Sequence, residues 1–513
     1  GYVYHGALKE VYVYVLEPRF RHLLGCTQQP YRPSHRPPPS LAKGEDLQMI
    51  LRHAGWHPQL VPWMTLTEAE VAGLADELVR FHAQFQACFG RTEHRRLGLA
   101  YLSGLLSNTA AKSVEPIALA FLDADAVRPL QRFLKSYGWD HAAMEATHQA
   151  LLAQTLAEPD GMLTVDSCEF PKKGTESVGV ARQYCGARGK VENCQSGVFV
   201  GYSSRKGYGL VTSRLYLPEG WFAPEQAQRR TDTRVPQDLV FQTKPQLARD
   251  LLARIAATHR FPATWIGCDA VFGSDWAFLD AVPPGMAYFA SVRSNTPVFL
   301  RRPRVRVPPY RGRGRKPTKP RVTRGRAEPV GTLAGSKTCP WTTVVLAEGA
   351  KGPIRAEVAC LRVYPALGGL PREAPVWLFM RRTDDGQIKY AFSNAPADTP
   401  LAELCRAATM RWPIEQCFQD GKSQVGMDQY EHRSWPAWHR HMLYVFLALH
   451  FLLRLRIRLK KNAGLDAAAG APPPGGGAAV PHLDARACAG PRAVPHAAQL
   501  HCVPRAPEGA AGV

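Results

Sequence analysis

The spacing of apolar residues changes period once, between residues 158 and 162, and that change divides the chain. From Met64, the runs LTEAEVAGLADELVRFHAQF, LGLAYLSGLL, IALAFL and VRPLQRFLKSYGW place apolar side chains three and four residues apart. That repeat lines one face of a helix, so an all-helical region is predicted over 64–158. From Met162 the runs MLTVD, SVGVARQYCG, SGVFVGYSS and GLVTSRLYLP are short, rich in β-branched and aromatic residues, and separated by Gly, Lys and Ser. They predict consecutive antiparallel strands. A helix over 246–259, a strand over 264–268, a helix over 274–281 and a strand over 286–292 complete a mixed α/β sheet covered by helices.

Residues 293–398 interrupt this alternation. RRPRVRVPPYRGRGRKPTKPRVTRGR (301–326) holds twelve Arg or Lys, five Pro and no acid, which reads as a flexible basic arm. WTTVVLA, EVACLRVYP, PVWLFMRR and IKYAFSN then predict four strands of an inserted β-subdomain, with DDG at 384–386 as one turn. Helices return at 399–461, with Thr399 expected as N-cap and Pro400 at the first helical position, a new start at Pro413, and a last helix from Pro436 to Leu459. The first 63 residues begin at Gly1 and carry PYRPSHRPPPS; they read as a disordered arm or spurious extension. Of the final 52 residues 32 are Ala, Gly or Pro, too few large apolar side chains to build a core, so 462–513 is expected to be a disordered tail.

Sixty-four Lys and Arg against 43 Asp and Glu give a net charge of +21, which points to a polyanionic partner, nucleic acid before membrane surface. The longest apolar run, Met442 to Leu453, is twelve residues interrupted by His450. A bilayer span needs about 20, so this is a buried helix and no membrane partner is expected. With no export signal at the start of the chain, a cytoplasmic protein is expected. The twelve cysteines are scattered and form no C-x2-C pair, the pattern of reduced, partly buried thiols. His439 and His441 do not fill a metal site by themselves and are expected on a helix surface or facing DNA.

Two acids close predicted strands: Asp166 ends MLTVD, and Asp269 ends TWIGCD. Strand ends at the rim of an α/β sheet hold side chains rigidly where ligands gather. Glu415 lies in the helix after the interruption. If that helix meets the sheet edge, three carboxylates converge in a set suited to Mg2+ and phosphodiester chemistry. In RWPIEQCFQDGK, Glu415 and Lys422 lie seven residues apart, two helical turns on one face, with Arg411 at the helix entrance. Such an arrangement is either a solvated ion-pair network or a metal ligand beside phosphate clamps. Spacing alone leaves both open.

The segments DSCEFPKKGTESVGVARQYCGARGKVENCQ (166–195), CDAVFGSDWAFLDAV (268–282), FSNAPADTPL (392–401) and RWPIEQCFQDGKSQVGMDQYEHRSWPAWHRH (411–441) resemble DDE transposases of bacterial insertion sequences. The resemblance is to the branch with a Tyr-Arg-Glu-Lys signature, of the insertion sequence seven-hundred-one type, and covers about residues 64–460. It implies an RNase H-like catalytic domain interrupted by a β-rich insertion and preceded by an all-helical DNA-binding domain. It also implies two Mg2+ ions, with Mn2+ as substitute, on Asp166, Asp269 and Glu415. Arg411 and Lys422 would grip DNA beside the cleaved phosphate, and Lys172 and Lys173 would add phosphate contacts. The partners implied are double-stranded DNA, as terminal inverted repeats and target, and a second copy of the chain in a homodimer on a bacterial nucleoid. The chain departs from the pattern where the signature tyrosine would be, at Ala408, and at Ser167, Cys168 and Glu169 after the first aspartate. The alternative is a catalytically inactive DNA-binding descendant, which metal-dependent nicking would distinguish. A glycosidase using paired Asp and Glu leaves the charge of +21 unexplained.

Overall fold

Helical periodicity becomes α1 (Glu68–Ala83), α2 (Thr92–Leu106), α3 (Val114–Phe121), α4 (Val127–Lys135) and α5 (His141–Leu156) in a computed structural model that describes residues 68–462, except 311, 313, 338, 350, 351, 384 and 385. The expected extension over 1–63, the tail beyond 462, and Asp384 and Asp385 of the expected turn lie outside the described residues. The Asp140 carboxylate accepts the Ala143 N–H at 2.9 Å and caps α5.

The buried faces of these helices close on the end of the chain. Tyr444, from the last helix, α13 (Trp435–Asn462), packs edge-on against Tyr101, Phe133 and Trp139, with centroids 5.4, 5.9 and 6.0 Å away. Phe133 and Trp139 stack at 5.1 Å, and the Arg440 guanidinium donates to the Phe133 and Leu134 carbonyls at 3.1 and 3.2 Å. The Met442–Leu453 run is buried among them except for a partly exposed Leu449. Each large side chain so buried contributes about 1.5–3 kcal/mol. Among the described residues, no helix is long and apolar enough to cross a membrane.

The strands before residue 300 are β1 (Met162–Pro171), β2 (Ala181–Cys185), β3 (Lys190–Ser204), β4 (Gly207–Tyr216), β5 (Trp265–Cys268), β6 (Ala287–Val292) and β7 (Pro297–Phe299). Short helix α6 (Ala227–Asp232) and α7 (Lys244–Ala257) lie between β4 and β5, and α8 (Ala270–Gly273) and α9 (Trp276–Asp280) between β5 and β6. The central order is β4-β3-β1-β5-β6, with β3 antiparallel to β1 and β4, and β1, β5 and β6 mutually parallel. A mixed sheet of this order is consistent with the expected RNase H-like core. Along β1, Leu163 and Val165 pack against α7, whereas Cys168 and Phe170 face the α13 side, the two-residue alternation that assigns each side chain its layer.

Beyond β6 come β8 (Arg304–Arg306), β9 (Arg321–Arg324), β10 (Glu328–Pro329), α10 (Val330–Ala334), β11 (Thr342–Gly349), β12 (Gly352–Leu367), β13 (Leu370–Pro371), β14 (Val376–Arg382) and β15 (Ile388–Ser393). β15 pairs antiparallel with β6, Phe392 opposite Ala290, and β14 and β12 follow outward. The strands expected of an inserted β-subdomain therefore hydrogen-bond onto the edge of the central sheet and extend it to 13 strands among the described residues. α11 (Leu401–Arg411) and α12 (Pro413–Val425) then return to that sheet.

Local expectations need correction at six places. The helix expected over 274–281 is shorter, Trp276–Asp280 capped by Asp275, and a separate helix capped by Asp269, Ala270–Gly273, precedes it. The strand expected from 177 begins at Ala181, since the Val178 N–H is taken by the Arg433 carbonyl. Pro400, not Thr399, is the N-cap of α11. His441 is not on the helix surface: it is fully buried, 2.8 Å from the Tyr101 hydroxyl. His439 is half-buried and accepts the Leu215 N–H at 3.4 Å. Finally, the basic arm is not without structure, since β8 and β9 pair with each other as a separate two-stranded ribbon.

Candidate active site

The parallel register of β1 and β5 ends on the row Val165↔Cys268. The next residue after each is an aspartate: Asp269 follows the end of β5, whereas Asp166, expected to close its strand, lies within β1, which stays paired with β3 to Pro171. Strand alternation gives both the layer shared with α11 and α12, since Met162 and Trp265 of the same parity pack with α11. Asp166 is buried and its Oδ1 accepts the Ser167 N–H at 2.7 Å. Asp269 is half-buried; its Oδ1 accepts the Val271 and Phe272 N–H groups at 3.0 and 3.3 Å, capping α8. Burial and then the Asp269 charge raise the Asp166 carboxyl well above the ordinary carboxylate range, against the pull of Arg411. Burial raises Asp269 as well, opposed by its two backbone N–H bonds and then by Arg411 and Lys244.

Glu415 lies in the first turn of α12, where Pro413 occupies the first helical position. Its carboxylate Oε1 accepts a hydrogen bond from the Arg411 guanidinium, one turn earlier at the end of α11. Arg411 is 16% exposed and Glu415 44%, so the cation is the buried partner, and its field reaches Asp166 and Asp269. Its stem runs over Gly267 of β5: a Cβ there would lie 3.0 Å from Arg411 Cγ and 3.0 Å from Met162 Sδ. Lys422, two turns beyond Glu415, donates to the Glu169 carbonyl at 3.2 Å and holds its ammonium 5.6 Å from the Phe170 ring centroid. The end of α11 and the helix α12 thus carry Arg411, and Glu415 with Lys422, to the side of β1.

Lys172 and Lys173 fall elsewhere. Six residues past Asp166 along an extended strand is roughly 20 Å. The Lys172 ammonium donates to the Tyr430 carbonyl at 3.0 Å and sits 3.6 Å from the Tyr430 ring centroid. Burial lowers it to about 8. Lys173 is exposed. Neither is brought against the carboxylates. Conversely, sequence reasoning passed over Lys244 and Glu169. The buried Glu169 Oε1 receives the Ser167 and Ser196 hydroxyls, each at 3.1 Å, and the Lys244 ammonium at 3.3 Å. Lys244 opens α7 after the capping box of Thr243 and Gln246, and that Ser/Thr-x-x-Gln spacing is the signal that marks its position.

The donor set is all oxygen, as a hard divalent cation requires. Asp166 and Asp269 fit such an ion, because it would relieve the burial and mutual repulsion that raise Asp166. Among the described residues, however, no group of three or more His, Cys, Asp or Glu converges to hold a metal. Glu415 is instead bonded to Arg411.

Residues 84–353 match a family profile described as DDE superfamily endonuclease. That span takes in Asp166 and Asp269 and stops before Glu415. No curated protein matches the chain. Among solved structures, it is similar to a piggyBac transposase synaptic complex with hairpin DNA, at 10% identity over 90% of this chain and 80% of that one, with a TM-score of 0.32. It is also similar to the NurA nuclease from Sulfolobus solfataricus, at 9% identity over 65% of this chain and 94% of that one, with a TM-score of 0.22. The profile covers more than half of the sequence and includes Asp166 and Asp269, and the chain belongs to the DDE superfamily endonucleases.

Proposed function

We propose that the protein is a transposase that cleaves DNA at the ends of a mobile element and transfers the freed 3′-hydroxyl into target DNA, as the resemblance to Tyr-Arg-Glu-Lys elements of the insertion sequence seven-hundred-one type suggests. The observation that supports this reading is the register of β1 and β5, which brings Asp166 and Asp269 side by side, with the charges of Arg411 and Glu415 reaching Asp166.

Asp166, Asp269 and Glu415 are the residues that would hold two Mg2+ ions, or Mn2+. Bound there, the ions supply Lewis-acid activation of the attacking oxygen and stabilisation of the leaving one. Hydrolysis breaks the P–O3′ bond at the element boundary and leaves a 3′-hydroxyl. In the second step that hydroxyl attacks a target phosphodiester, so one phosphodiester bond forms as another breaks. Arg411, released by Glu415, and Lys422 bind non-bridging phosphate oxygens and fix the scissile strand. Lys173 is free to add a phosphate contact, whereas Lys172 must first leave Tyr430. A homodimer pairs the two element ends, and recognition of the terminal repeats falls to the helices before β1.

The test is incubation of the purified chain with a supercoiled plasmid carrying the DNA that flanks its gene. Nicks at the element boundaries that need Mg2+ or Mn2+ and vanish in Asp166→Asn, Asp269→Asn and Glu415→Gln are expected. Tight DNA binding without any metal-dependent nick would instead support the inactive descendant.

A further inference from the structure

β2 and β3 form a hairpin closed by a single 3-10 turn, Gly186–Arg188, with Gly189 at φ +65°. Its register sets Tyr184 opposite Val191 and Arg182 opposite Asn193. Side chains alternate along a strand, so Gln183 and Cys185 take one face while Arg182, Tyr184 and Val191 share the other. The first face packs inward: Cys185 is fully buried, and the Gln183 amide donates to the Cys194 carbonyl at 2.9 Å. The second is turned to solvent. Tyr184 is 62% exposed, more than any other aromatic side chain among the described residues, and Val191 opposite it is 53% exposed.

The turn folds back over β1. A Cβ on Gly186 would lie 3.4 Å from Glu169 Oε2, and the same glutamate takes the Ser167 hydroxyl at 3.1 Å. Glu169 is three residues past Asp166, roughly 10 Å of extended strand. The exposed pair is therefore carried on a hairpin whose turn lies beside the strand that bears Asp166. Around the pair, Arg182, Arg188 and Lys190 are exposed. Glu192 is the one acid in the hairpin, and the Lys190 ammonium already meets it at 2.8 Å.

An apolar patch ringed by cations fits a ligand that is flat and apolar in one part and anionic in the next, as a nucleotide is. Two side chains fall far below the roughly 800 Å² per partner that a stable protein interface buries, which argues against a second copy of the chain as the occupant. In an intact duplex the base faces are hidden in the stack, so the ligand has to offer an unpaired base. Arg182 and Tyr184 lie about 7 Å apart on one face, which lets a base rest on the ring while a neighbouring phosphate meets the guanidinium.

We propose that this hairpin is a docking surface for unpaired nucleotides of a DNA strand beside the cleavage site, with one base stacked on Tyr184 against Val191 and the adjoining phosphates on Arg182, Arg188 and Lys190. The inference rests on the reading of the chain as a DNA-cleaving enzyme and adds to it a preference for DNA whose strands are locally parted.

The test uses the full chain carrying Asp166→Asn and duplexes of one length that are fully paired, that carry a short single-stranded flap, or that carry the same flap made abasic. The flapped duplex should bind about tenfold tighter than the paired one, and the abasic flap should lose that gain although its phosphates remain. Tyr184→Trp should keep the preference. Tyr184→Ser should reduce it to under about twofold, with paired-duplex affinity and Tm unchanged because the side chain is exposed. Equal binding to paired and flapped DNA, or an abasic flap that binds as well as the base-bearing one, would overturn the proposal. So would a Tyr184→Ser chain that keeps the preference, and if sedimentation then showed fewer dimers the patch would belong to a contact between copies. Metal-dependent nicking by the unsubstituted chain is measured separately. Nicking without the flap preference defeats only this inference, and the preference without nicking defeats only the catalytic reading.

Discussion

The Arg411 guanidinium donates to Glu415 one helical turn away and projects its charge onto Asp166. A cation of the protein's own thus offsets the carboxylate charge where the ions would bind. Arg411→Gln should tighten Mn2+ binding in the absence of DNA by about tenfold, the effect of removing one screened like charge. The same change should lower the cleavage rate at least about a hundredfold, since the phosphate loses its guanidinium. Mn2+ titration by electron paramagnetic resonance checks the first effect, and unchanged affinity would show that the guanidinium does not compete.

Asp166→Asn and Asp269→Asn should stabilise the metal-free protein near neutral pH. An acid whose folded pKa is raised holds its proton longer in the native state than in the unfolded chain. Stability therefore falls as pH rises from the ordinary carboxylate range through the raised value. The amide removes that cost yet keeps the local geometry, for it still accepts the Ser167 N–H at 166 and still caps α8 at 269. A rise of a few degrees in Tm at pH 7, with loss of the Mg2+-induced increment shown by the unsubstituted chain, is the expected result by scanning fluorimetry. A lower Tm in both variants would contradict the electrostatic account.

Both aspartates were legible because each ends a short apolar run; β5 does end just before Asp269, but β1 continues past Asp166 to Pro171, because its pairing with β3 outlasts its pairing with β5. Glu415 was legible through its spacing from Arg411 and Lys422. The ion pair between Arg411 and Glu415 was not, because spacing cannot say whether a cation faces a carboxylate or a phosphate. Lys244 and Glu169 are separated by 75 residues in sequence, and only the packing of α7 on the sheet joins them. The pairing of Arg304 with Arg324 escaped for another reason: cross-strand arginines contradict strand propensity. His441 looked like a surface residue because the helix bearing it is polar at its start. Contact with α2, through Tyr101, is what buries it.

Gly267→Ala should act on Arg411 without touching a charged group. The new methyl would lie 3.0 Å from both Arg411 Cγ and Met162 Sδ and 3.2 Å from Thr164 Oγ1, so the arginine stem must shift. Overpacking of this kind costs about 1–3 kcal/mol. We expect cleavage to drop about tenfold with DNA affinity held within about twofold, measured by nicking and fluorescence anisotropy on the same duplex. Equal cleavage rates would mean that the stem moves aside without displacing the guanidinium.

Acid should unfold the protein at a milder pH than its carboxylates alone would require. His82, His148, His441 and His450 are buried, and burial lowers His82 to about 4, His148 and His441 to about 3, and His450 well below its usual value. A histidine lowered in the native state stays neutral there while the unfolded chain takes up a proton near pH 6.5. The unfolded state therefore binds more protons, and stability is lost as pH falls from about 6.5 toward the lowered values. Four such groups give a slope of about 5 kcal/mol per pH unit once the unfolded histidines are fully charged, enough to exhaust an ordinary stability of about 5–15 kcal/mol within two or three pH units. Unfolding centred between about pH 4 and 5.5, with uptake of about four protons, is expected from tryptophan fluorescence and potentiometric titration. His148 is the informative position, since neither ring nitrogen has a hydrogen-bond partner among the described residues. His148→Leu should shift the acid midpoint downward by a few tenths of a pH unit. An unmoved midpoint in that variant would mean that this histidine does not contribute to acid unfolding.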